Sequence, residues 1–97
     1  MLLVAPEALL ASGAALTGIT AQQGAATAAA MPVVSALTPS GVDSVSALAA
    51  SAFSAQGVEF SAMSAEGSAM LGTAAEGITA VGSVYSAADA AGAAEVL

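Results

Sequence analysis

Apolar and small residues in this chain recur at steps of three and four, the spacing of one helical face. An early row is Leu9, Leu16, Gln23, Ala30 and Leu37, with a companion row of Ser12, Ile19, Ala26 and Val33. A later row runs Val42, Val45, Ala49, Ala52, Gln56, Phe60, Met63, Gly67, Met70, Ala74, Ile78, Val81 and Tyr85. Phe53 and Leu71 add bulk beside it. The pattern predicts an all-α chain of two long helices.

Punctuation sets the bounds. Pro6 suits the first position of a helix, where its missing N–H costs nothing. Glu7 then falls in the first turn, where the helix dipole favours a negative charge. Pro32 lies late in the first pattern and removes a hydrogen bond to the carbonyl of Ala28. The helix kinks or ends there, and because the rows run on to Leu37 a kink is expected. Thr38-Pro39-Ser40-Gly41 is the strongest turn signal. Ser40 or Gly41 caps the second helix in this reading, with Asp43 in its first turn. The expected layout is a helix over about 6–37, a turn at 38–41, a helix over about 42–87, and a flexible tail at 90–97. The folded domain is expected to span 1–89. A connection this short makes the two helices an antiparallel hairpin.

Gly57, Gly67, Gly72, Gly77 and Gly82 fall inside the second helix. Each costs about 1 kcal/mol relative to Ala. Their spacing does not keep them on one face, so they do not form a single groove. Gln23 interrupts the first seam; it either fixes register against a partner or sits at the seam's edge in water. Glu59 and Glu66, seven residues apart, form either a solvated stripe or a contact for basic partner residues.

Charge narrows the function. Seven acids stand against no Lys, Arg or His, for a net charge of −7. Nothing neutralises phosphate, which argues against nucleic acid as a partner. Anionic membrane surfaces are disfavoured for the same reason. The chain has no Cys, so neither a disulfide nor a thiolate metal site can staple its 97 residues. Nucleophilic catalysis lacks a His or Lys base, and the carboxylates are dispersed. No catalytic site, metal site or cofactor is expected, and the chain reads as a non-enzyme. Mean hydropathy is high at +0.90, yet Ser, Thr, Gly and Gln break every apolar run short of a membrane span. Met1-Leu2-Leu3-Val4 has no basic residue before it and soon meets Glu7, unlike a cleaved signal peptide.

Two antiparallel helices leave an open apolar face. A second helical pair would cover it and complete a four-helix bundle. The pattern alone does not choose between a second copy and another protein.

Two short motifs bear on that choice. Pro6-Glu7 opens the first helix, and Tyr85-Ser86-Ala87-Ala88-Asp89 closes the second. With the hairpin and the Ala/Ser/Gly-rich composition, they resemble the PE family of mycobacteria, named for its Pro-Glu pair. The resemblance covers nearly the whole chain. It implies a PPE-family protein as 1:1 partner, packed lengthwise in a four-helix bundle. It implies export by the type VII secretion machinery, with Tyr85 and Asp89 as the Tyr-x-x-x-Asp signal. The dedicated secretion chaperone would act indirectly, through the PPE partner. The expected location is secreted or at the cell surface, after assembly in the cytoplasm. The partner interface would use Leu9, Leu16, Ile19, Val33, Leu37, Val45, Phe53, Phe60, Met63, Met70, Ile78 and Val81. The run Phe53-Ser54-Ala55-Gln56-Gly57-Val58-Glu59 looks like the subgroup linked to the iron-acquisition type VII system, which implies nutrient or iron uptake, or host interaction. Taken without the resemblance, Tyr85 could equally close the bundle end, with Asp89 in water. A homodimeric helical hairpin and a membrane-inserting hairpin are the competing readings.

Overall fold

The computed structural model describes residues 4–96. The apolar start Met1-Leu2-Leu3 and the last residue, Leu97, lie outside the described residues. Two helices account for most of the chain, α1 over Pro6–Ser35 and α2 over Ser44–Val96.

Helix α1 starts at Pro6, which is buried. The carbonyl of Ala5 accepts the first bonds, from the amides of Ala8 at 3.0 Å and Leu9 at 3.4 Å. The helix continues through Pro32. It stops at Ser35 rather than at 37, because the amide of Leu37 donates to the Ser54 hydroxyl at 2.9 Å instead of to a helical carbonyl. Thr38, preceding Pro39, is also biased against helical geometry.

Helix α2 begins two residues later than the turn signal suggested. Asp43 is its cap, in place of Ser40 or Gly41. The Asp43 carboxylate accepts the Ser46 amide at 2.9 Å and the Ser46 hydroxyl at 2.9 Å. A carboxylate satisfies an orphan amide of the first turn and meets the positive end of the helix dipole. At its other end α2 runs to Val96, beyond the expected stop near 87. Ala-rich sequence sustains helix there, and Gly92 is its one strong interruption.

The chain divides into two compact units, Met1–Thr20 with Met70–Leu97, and Ala21–Ala69. Each pairs a part of α1 with a part of α2. In the first unit, Gly13 lies against Ala75 and Thr79, while Gly82 lies against Leu9 and Leu10. The higher number on α2 meets the lower on α1, so the pairing is antiparallel. In the second unit Gly57 lies against Val34, and the Ser54 hydroxyl holds Leu37.

Small residues make both contacts. Along α2 the row facing α1 reads Gly57, Ser61, Ser64, Ser68, Leu71, Ala75, Ile78 and Gly82, in strict steps of four and three. Every member is buried or half-buried. Hydroxyls on or beside the facing row of α1 bond within their own helix. Thr20 donates to the Leu16 carbonyl, Thr27 to Gln23 and Ser35 to Met31, at 2.6–3.0 Å. Such back-bonding lets a polar residue sit at a helix contact without an orphaned donor. The cost of this close approach is a meagre core: among the described residues the buried apolar side chains are Ala75, at 2% exposure, and Pro6 at the start of α1.

Candidate functional site

The bulky residues lie elsewhere. On α2 they stand one position before the α1-facing row: Phe53, Phe60, Met63, Met70, Val81 and Val84, all exposed. One residue is about 100° of helix, so this row turns away from the α1 contact. Met63 is 72% exposed and Val45 74%. On α1 the matching residues are Ile19 and Val33, with Leu37 just past its end; Val33 is 68% exposed. The remaining candidate interface residues, Leu9, Leu16 and Ile78, are half-buried and belong to the contact between the helices. The proposed interface therefore falls on two surfaces, one inside the hairpin and one unpartnered.

A large side chain left in water forfeits about 1.5–3 kcal/mol that burial would provide. A row of exposed Phe, Met and Val is well beyond the scattered apolar residues of ordinary surfaces. Beside the turn it deepens into a cleft of about 410 Å³ lined by Val34, Leu37, Phe53, Gln56, Gly57 and Phe60. Gly57 makes the cleft by allowing the helices to close at its floor. A second hollow of about 310 Å³ is lined by small and hydroxylic residues, among them Thr27, Ser61, Ser64 and Ser68.

Tyr85 is half-buried and continues the α1-facing row, three residues after Gly82. Since Gly82 meets Leu9 and Leu10, Tyr85 comes level with the first turn of α1. Asp89 is exposed one turn further along α2. Both are helical, so they share one side of α2. Pro6 and Glu7 form the N-terminal turn of α1, with Glu7 exposed. The two short motifs thus lie at the same end of their unit.

Among the described residues no group of three acids could hold a metal ion. The Asp43 carboxyl is held below the ordinary Asp value by the Ser46 amide first and the Ser46 hydroxyl next. That is cap chemistry, and Asp43 sits at the turn. No helix of the described residues is long and apolar enough to cross a membrane.

Two features escaped the sequence pattern. Gly57 and Gly82, which meet α1, carry little hydropathy and left no apolar signal. Gly13, pressed against Thr79 and Ala75, was indistinguishable from other small residues.

The PE family model matches residues 2–92. The chain is 47% identical over 91 residues to PE family immunomodulator PE5 of Mycobacterium tuberculosis strain H37Rv, covering 94% of this chain and 89% of that protein. It is 46% identical over 54 residues to PE family immunomodulator PE15 of the same strain, covering 56% of this chain and 53% of that one. No solved structure matches the chain. With the family model spanning nearly all of a hairpin that opens on Pro6-Glu7, the chain belongs to the PE family.

Proposed function

We propose that this chain is the non-catalytic half of a secreted heterodimer, whose other half is a PPE-family protein. One observation carries the reading: Phe53, Phe60, Met63 and Met70 are exposed, while among the described residues the buried apolar side chains are only the small Ala75 and Pro6. A hairpin built this way gains its core from a partner. Two helices of a PPE protein laid along the exposed row would complete a four-helix bundle. Covering Phe53, Phe60, Met63 and Met70 would supply several kcal/mol that the hairpin lacks.

Export is by type VII secretion, with Tyr85 and Asp89 as the signal. The pair lies on an outer turn of α2, where Asp89 is open to a receptor. The secretion chaperone acts through the partner. The mature heterodimer works outside the cytoplasm, at the cell surface or beyond. Its role there is host interaction, as the names of the immunomodulator relatives suggest, or nutrient uptake, as the Phe53–Glu59 run suggests.

The test separates assembly from export. The Tyr85→Ala chain is co-expressed with its PPE partner in a mycobacterium, and complex and culture filtrate are assayed together. Complex retained and export lost is the expected result. Export of the intact variant complex at the native level would refute the signal. Failure of the native chain to co-purify with any PPE protein would refute the heterodimer.

A further inference from the structure

We propose that the cleft beside the turn is the specificity point of the docking face: it takes one bulky apolar side chain of a helical partner, and Glu59 and Glu66 take that partner's cationic residues. This rests on the heterodimer reading and adds the partner's chemistry to it. The cleft is apolar apart from Gln56, and its volume of about 410 Å³ accommodates a large side chain. Phe53 and Phe60 stand two turns apart on α2 as one wall, with Val34 and Leu37 as the other. Phe60 and Phe53 are half or more exposed, so the walls stand open to an incoming knob. Buried aromatic and branched anchors in such holes carry most of an interface's binding energy.

The acids place the cations. Glu59 and Glu66 are exposed. Glu59 is four residues before Met63, and Glu66 is three after it and four before Met70. At those spacings helical side chains are neighbours, so both acids border the apolar row. They are about 10 Å apart along the axis. The chain holds no Lys, Arg or His, so no side chain of this protein neutralises them. A second copy would bring only more acids to the rim. A partner with two basic residues about one heptad apart, flanking a bulky apolar residue, meets both demands at once. Rim pairs of this kind set partner choice and association more than total affinity.

The experiment compares two charge reversals of equal size on one helix. Glu59→Lys with Glu66→Lys alters the rim. Glu76→Lys with Glu95→Lys changes net charge equally, away from the cleft. Each chain is co-expressed with a PPE-family protein that binds the native chain, and dissociation of the purified complex is followed on dilution at low and high salt. For the rim pair the dissociation constant should rise at least about tenfold, and the native weakening by salt should disappear. The control pair should stay within about twofold of native. Phe60→Ala should weaken the complex at both salt levels equally. Equal effects of the two charge pairs, or a native complex insensitive to salt, would overturn the proposal while leaving the heterodimer standing. A native chain that forms only a homodimer would overturn both.

Discussion

Gly57 of α2 lies against the backbone carbonyl of Val34 of α1, so closely that an added methyl would strike the Val34 carbonyl group and the Ser35 amide. Backbone cannot swing aside as a side chain can. Gly57→Ala should therefore lower stability by about 1–3 kcal/mol through overpacking, despite about 1 kcal/mol of better helix propensity. Gly72 has nothing within 4 Å of such a methyl. Gly72→Ala should raise stability by about 1 kcal/mol. Thermal unfolding of the co-expressed complex reads both, with shifts of opposite sign.

Gly13 offers a gentler version of the same contact. Its added methyl would meet the Thr79 hydroxyl first, then the Ala75 carbonyl oxygen at 3.2 Å. Thr79→Ala removes the first obstacle. Gly13→Ala should destabilise alone and much less in the Thr79→Ala background. A double-mutant cycle on thermal stability should show a coupling of about 0.5–3 kcal/mol. Strict additivity would mean that the two residues do not meet.

The Asp43 cap predicts a pH dependence. Bonds from the Ser46 amide and hydroxyl favour the ionised carboxyl and hold its pKa below the ordinary Asp value. The folded pKa is the lower one, so the stabilisation is complete above the unfolded value. It is lost as pH falls through the folded value, below about 4. Asp43→Asn keeps a capping oxygen without the titration. Comparing the native chain with Asp43→Asn cancels the other six acids. The native advantage should shrink as pH drops below about 4, read by helicity or melting temperature. Asp43→Ala should lose the cap at every pH.

The two helices, their antiparallel pairing and the Pro6 start were legible in the sequence because steps of three and four and a turn with Pro and Gly are strong local signals. The division of labour between faces was not. The pattern offered one apolar seam through Phe60, Met63 and Met70, and these residues are exposed. The contact between helices belongs to Gly57, Ala75 and Gly82, on the row one residue over. Such residues contribute by what they lack, a side chain that would hold two backbones apart, and hydropathy does not register that. The same logic explains the glycines. Gly57 and Gly82 meet α1, while Gly67, Gly72 and Gly77 meet nothing within 4 Å, so their five-residue spacing never belonged to one surface. The ends beside the turn went astray by two residues each, where Asp43 competed with Ser40 and Gly41 for the cap and Ser54 captured the amide of Leu37, while α2 runs nine residues past its expected stop near 87 because Ala-rich sequence sustains it.

Substitution on the exposed row should separate partner binding from hairpin packing. Met63→Ser with Met70→Ser removes two largely exposed side chains and should leave the contact between α1 and α2 untouched. Partner affinity should fall by about 2 kcal/mol or more, measured by competition with the native chain for the PPE protein. Leu48 is equally exposed, but its helical position lies off the row of Phe53, Phe60 and Met63. Leu48→Ser should leave affinity near native. Equal losses from both would place the docking surface elsewhere.

The most direct measurement is the mass and helicity of this chain with and without a co-expressed PPE-family protein, the proposed partner, by size-exclusion chromatography with light scattering and circular dichroism. A strongly helical 1:1 complex, together with a lone chain that aggregates or loses helix, is the expected result. A lone chain that is already a monodisperse, fully helical dimer and ignores the partner would contradict the claim that the exposed Phe, Met and Val row is built for another protein.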